Sequence, residues 1–266
     1  MWSVIVESLY ALWAIVALSL AWTPAATSGK TTRETAEQLM ERMGGKANFD
    51  AHRFLTFRFV VERDGKPIAS YDHAWDRTTG RYRLEATKDG KPLRVLFNVN
   101  DRQGRVWLDW TELEAQEAEA YLDMAYERFI NDSYWLLMPW KWLDPGVTMT
   151  NEGERTLDGE AFDVVSLGFG DNVGLTPKDR YWAFVSEKDG LMKRWEFLLQ
   201  QEDGSPGTGA PTAFSWEDWR EAGDGLLFSR RKIKIGPGPA LSILFPEVAI
   251  SRKVDEPVFV PPASGR

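Results

Sequence analysis

The 266-residue chain is 43% apolar, 27% charged and 13% aromatic, the balance of a folded protein with a sizeable core rather than a disordered one. A formal charge of −8, with no basic cluster interleaved with aromatics, excludes nucleic acid as a partner, because phosphate binding needs concentrated Lys and Arg. The absence of cysteine excludes disulfides, thiolate metal sites, cysteine nucleophiles and a lipid-bearing N-terminal cysteine.

Residues 8–22 (SLYALWAIVALSLAW) form an uncharged apolar run, shorter than the ~20 residues of a bilayer-spanning helix. Small residues in the following TPAATSGK offer export-type cleavage after Ala25 or Ala26. Residues 1–26 therefore read as a signal peptide or an N-terminal anchor, although Glu7 and no Lys or Arg precede the run. The remainder, 31–262, reads as one exported domain, released or held at a membrane by that segment.

TTRETAEQLMERMGG (31–45) predicts a short amphipathic helix. Thr31 and Glu34 fit a capping box, Ala36, Leu39, Met40 and Met43 share one stripe, and Gly44-Gly45 ends it. From His52 the period changes to two. RFLTFRFVVER sets Leu55, Phe57, Phe59 and Val61 on one face, and RYRLEAT does the same with Tyr82, Leu84 and Ala86. Asp-Gly pairs at 64–65, 89–90, 158–159, 189–190 and 224–225 each stand between such runs, the strongest short-range hairpin signal. In SRRKIKI (229–235) the alternation with Ile233 and Ile235 makes the cations the outward face of a strand. The expectation is a mainly β protein, a long antiparallel meander of about 11 strands that must curl and cover its dry face.

One interruption breaks the meander. ELEAQEAEAYLDMAYERFI (112–130) has helical composition, with acidic residues near its start. YWLLMPWKW (134–142) follows, and Pro139 and Pro145 prevent one continuous helix. So apolar a stretch reads either as a plug completing the core or as a lid over a cavity, where Trp, Leu and Met re-pack around a flexible ligand.

Signals for catalysis are weak. Only His52 and His73 are present; His73 lies in phase with Tyr71 and Trp75 and reads as a hydrogen-bonded structural residue. HExxH spacing, a GxSxG elbow and a Walker loop are missing, so neither metal nor catalytic residue is assigned. Carboxylates flanked by tryptophans (Asp109, Glu196, Glu217, Asp218) offer an alternative, a carbohydrate-binding or glycoside-processing β-protein using Trp platforms. Neighbours along a strand face opposite sides, however, so these acids read as outward charges.

The leader, the short helix, the meander and the helical insertion together resemble the periplasmic lipoprotein-carrier superfamily of LolA, LolB and RseB-like proteins. RYRLEA (81–86) with GRVWLDW (104–110) resembles the family's paired strands ending in a Gly-x-x-Trp element, and TPKDRYWAFVSEKDGLMKRWEF (176–197) its later hairpin. YWLLMPWKWLDPG resembles a lipoprotein-sorting-like branch. The resemblance implies an unclosed β-barrel with a helical lid over an apolar cavity. It also implies a non-enzymatic role without cofactor: holding lipid or lipoprotein acyl chains, in outer-membrane lipoprotein sorting, beside membrane-associated transport proteins. The chain is expected to be a monomer. The expected cavity residues are Phe57, Phe59, Tyr71, Trp75, Trp107, Trp110, Trp195 and Phe197 on the sheet, and Trp135, Leu136, Met138, Trp140 and Trp142 on the lid.

Overall fold

Hairpin chemistry dominates the architecture. The computed structural model describes residues 30–170, 176 and 178–262; the expected leader lies outside them. At four of the six Asp-Gly pairs both residues adopt positive φ (51° and 73° at 64–65, 48° and 78° at 224–225), the two-residue turn whose twist matches its strands. Asp109-Trp110 makes a fifth such turn, with φ of 51° and 64°, where tryptophan occupies a place that usually goes to glycine. Nothing in WLDWTE announced it.

Before the sheet come helices α1 (Thr32–Arg42) and α2 (Lys46–Asp50). The predicted capping box forms around Thr31 and Glu34, and Ala36, Leu39 and Met40 are buried. Gly44, at φ 111°, ends the segment so tightly that a Cβ there would lie 2.5 Å from the carbonyl oxygen of Gly225. The strands before the insertion are β1 (Phe54–Arg63), β2 (Lys66–Asp76), β3 (Arg81–Lys88), β4 (Lys91–Asn98), β5 (Gly104–Leu108) and β6 (Thr111–Glu112). The insertion is α3 (Ala115–Leu137) with a 3-10 turn at Met138–Lys141. After it run β7 (Val147–Leu157), β8 (Glu160–Phe169), β9 (Arg180–Ser186), β10 (Met192–Leu198) and β11 (Thr212–Ser215). The last are β12 (Glu217–Gly223), β13 (Leu226–Ile235), β14 (Leu241–Leu244) and β15 (Val248–Ser251).

All pairings are antiparallel, in the order β6-β5-β4-β3-β2-β1-β14-β13-β11-β10-β9-β8-β7, with β12 on β13 and β15 on β1. The ends, β6 and β7, do not meet, so the sheet is an unclosed barrel. The described residues hold fifteen strands rather than about eleven. A bend between β14 and β15 lets both pair with β1, and Trp216 separates β11 from β12, so runs that read as single strands are split.

The insertion departs most from expectation. Helix α3 continues seven residues past 130 and absorbs Tyr134, Trp135, Leu136 and Leu137; Pro139 stops it only afterwards, inside the 3-10 turn. Strand β13 has the opposite phase to that predicted. Lys232 is fully buried with its Nζ over the rings of Trp216 (4.4 Å) and Phe245 (4.2 Å), while Ile235 is exposed.

Candidate functional site

Two apolar clusters lie against the concave face. In one, Ala118, Ala125, Tyr121, Leu122 and Phe129 of α3 pack on Tyr82, Leu84, Val95, Phe97 and Val106 of β3–β5. Small side chains at Ala118 and Ala125 let the helix lie close to the sheet. Further along α3 the side chains become bulky and a cavity of about 600 Å³ opens between helix and sheet. That volume falls within the roughly 300–1,000 Å³ of ordinary ligand sites.

From α3 and the 3-10 turn after it, Met124, Glu127, Arg128, Asn131, Tyr134, Trp135 and Met138 line it at three- and four-residue spacing, joined by Phe129, Ile130, Ser133 and Leu137. The sheet contributes Val61 of β1, Ala69, Tyr71 and Trp75 of β2, Ile243 of β14, and a run of aromatics from β8 to β11. These aromatics form one nest. The Trp135 ring lies 4.7 Å from Trp195 and 5.0 Å from Phe214; Trp195 lies 5.1 Å from Tyr181; and Phe197 stacks on Phe214 at 6.0 Å. Burial, with Asp179 a smaller contributor, raises the pKa of Tyr134, so its phenol stays neutral in this wall.

Of the expected cavity residues, the structure brings Tyr71, Trp75, Trp135, Met138, Trp142, Trp195 and Phe197 to the cavity wall. Phe57 and Phe59 face inward but are covered by protein: Phe57 stacks on His73 at 4.3 Å and Phe59 meets Phe245 edge-on at 5.5 Å. Leu136 and Trp140 are in the packed core, where Trp140, 1% exposed, stacks on Phe49 at 4.5 Å. Trp107 points to the face opposite Val106, beside Arg105, and Trp110 is 40% exposed at its turn. The 134–142 segment is thus both plug and wall, pinned by Trp140 and by the Trp142 Nε1 hydrogen bond to Met138 Sδ (3.0 Å). Arg128, Glu127 and Asn131 were missed. They lie upstream of the apolar stretch, and only the helix continuing unbroken into that stretch puts them on the same stripe.

The cavity's polar groups are unequal. Lys141 pairs with Asp144 (2.7 Å), and Asp179 accepts from the Thr176 hydroxyl (2.6 Å), the Tyr181 hydroxyl (2.8 Å) and the Gln200 N–H (2.7 Å). Two indole N–H groups on the wall, Trp75 Nε1 and Trp195 Nε1, are buried with no acceptor among the described residues. A buried donor left without an acceptor costs about 1–3 kcal/mol.

Behind the wall, Tyr82, His73 and Asp132 form a sealed polar seam between β2, β3 and α3. His73 Nδ1 lies 2.7 Å from the Tyr82 hydroxyl, and His73 Nε2 is 3.2 Å from Asp132 Oδ2 in ion-pair but not hydrogen-bond geometry. Burial, and secondarily Asp132, raises the Tyr82 pKa well above the usual phenol range. All three are closed to solvent, which fits the structural role expected of His73. His52 is likewise structural, bridging the Asn48 carbonyl (2.7 Å) and Asp224 (2.9 Å). The tryptophan-flanked acids each meet a cation: Asp109 with Lys91, Glu196 with Arg194, Glu217 with Arg231 and Asp218 with Arg220. Trp216 is fully buried and presents no flat face to a sugar.

A curved, unclosed antiparallel sheet with one long helix across its concavity is also the fold of a solved LolA superfamily structure. A LolA superfamily protein from Nitrosomonas europaea superimposes with a TM-score of 0.51 at 11% identity, over 87% of this chain and 98% of that one. A DUF1329 family protein from Desulfovibrio piger gives 0.48 at 13% identity, over 86% and 98%. The first likeness shows the fold alone, and the chain shares that fold. No family model matches the chain, and no curated protein matches it in sequence.

Proposed function

We propose that the protein is a non-enzymatic, exported lipid-binding protein that holds an acyl chain between α3 and the concave sheet, acting in lipoprotein sorting or transport beside membrane-associated partners. The cavity carries this reading: about 600 Å³, walled by aromatic and aliphatic side chains, with most of its charges already paired. Each methylene buried there contributes about 0.8 kcal/mol. The architecture shared with the LolA superfamily is compatible with the role. So is the apolar run at 8–22 as a leader or anchor for a single domain over 31–262. No helix among the described residues is long and apolar enough to cross a membrane.

Native mass spectrometry of protein purified from membranes tests the reading. A co-purifying lipid is expected, lost in Trp135→Asp, which places a charge on the cavity wall. Trp140→Asp is unsuitable because it would break the core stack on Phe49. Protein that carries no lipid and takes none up from vesicles would overturn the proposal.

A further inference from the structure

The cavity is polarised along its length. Strands β2 and β10 are five strand intervals apart in the sheet order, about 24 Å along the curved surface. The aromatic nest around Trp135 and Trp195 occupies the β10 end. At the β2 end, Arg128 lies over the Tyr71 ring at 5.4 Å and Trp75 meets Phe129 edge-on at 5.0 Å. Arg128 precedes Trp135 by seven residues, about 10 Å of helix.

One cation at this β2 end lacks hydrogen-bond acceptors. Arg128 has a side chain only 12% exposed, and Nη1 stands 3.6 Å from Asp132 Oδ1, an ion pair beyond hydrogen-bond length. A guanidinium carries five N–H groups, and among the described residues none of Arg128's makes a hydrogen bond. Trp75 Nε1 is also unpartnered, but it is closed to the cavity and offers a ligand no donor. The cavity's other cation, Lys141, is already paired with Asp144.

Resting on the lipid-binding reading, we infer that the ligand is an amphiphile with an anionic head, a carboxylate or a phosphate, held by Arg128 while its tail runs toward the aromatic nest. A planar guanidinium suits either anion, because both accept two parallel N–H bonds. Asp132 holds part of the Arg128 charge, and Glu127, on the same wall, opposes an anion. Both set the strength of the interaction without supplying the missing acceptors.

Delipidated full-length protein, titrated at pH 8 with palmitate, hexadecyl phosphate and methyl palmitate and followed by tryptophan fluorescence, tests the inference, since the probes share a tail and differ in the head. Hydrogen bonds to a charged group imply that wild type binds the anionic probes at least about tenfold tighter than the ester. A preference for one anion over the other separates carboxylate from phosphate as the natural head. In Arg128→Gln the gap between the anionic probes and the ester should close; in Glu127→Gln that gap should widen. Equal affinity of wild type for all three probes would overturn the inference and leave the lipid-binding reading standing. A gap that survives in folded Arg128→Gln would overturn it too. Should that variant not fold, the wild-type gap and Glu127→Gln decide the matter, and an unmoved Glu127→Gln overturns the placement of the head. Failure of all three probes to bind would overturn the lipid-binding reading itself.

Discussion

The two halves of α3 meet the same sheet in opposite ways. Its N-terminal half lies flush on β3–β5, with Ala118 and Ala125 buried at the contact. Its C-terminal half carries Tyr134 and Trp135 toward β8–β11 and stands off behind a cavity. Each half is apolar, so hydrophobicity does not distinguish them. Side-chain size does: alanine lets a helix settle into the sheet, and large rings meeting large rings prop it away.

The most disruptive test strikes the joint between the halves. Asp132→Ala leaves His73 and Arg128 without their buried carboxylate and should cost about 3 kcal/mol, read from the denaturant midpoint. Next, Ala125→Leu forces the flush half apart and should cost about 2 kcal/mol. If that variant is as stable as wild type, close approach is not what shuts the N-terminal half.

A smaller effect lies in the core beside the cavity. Burial, with Arg230 adding to it, pulls the Lys232 pKa well below its ordinary value. The unfolded chain keeps this proton up to about pH 10, so across that window the unfolded state binds more protons and wild-type stability rises with pH. Lys232→Met should abolish that slope and gain about 1 kcal/mol at neutral pH, as pH-resolved unfolding would show. An unchanged slope would mean the ammonium remains charged between its two rings. The mildest change relieves the exposed turn at the packed end. Trp110→Gly removes a bulky residue from positive φ and should stabilise by up to about 1 kcal/mol, less the loss of the Arg94 contact (5.6 Å), measured as a small rise in Tm.

Features governed by near neighbours were legible in the sequence. The Thr31–Glu34 box, the Asp-Gly turns and the inward phase of Tyr71 and Trp75 all depend on residues a few positions apart. The site was legible only in part. Trp135 and Trp140 look equivalent as letters, yet one faces the cavity and the other stacks on Phe49, because Trp135 lies inside the helix and Trp140 in the 3-10 turn beyond it. The phase of β13 was misjudged because a lysine sandwiched between rings breaks the rule that cations point to water. Arg128 was passed over for a similar reason: the Tyr71 ring beneath it arrives from β2, more than fifty positions earlier in the chain.

That β6 and β7 never join has a bearing on evolvability. A closed barrel has its bore dictated by strand number and stagger, so its calibre changes only in whole-strand steps. Here the gap is spanned by a single rod, and exchanging one alanine or one ring along α3 resizes the chamber by increments while every strand keeps its neighbours. Ligand length thereby becomes a property that point substitutions can adjust.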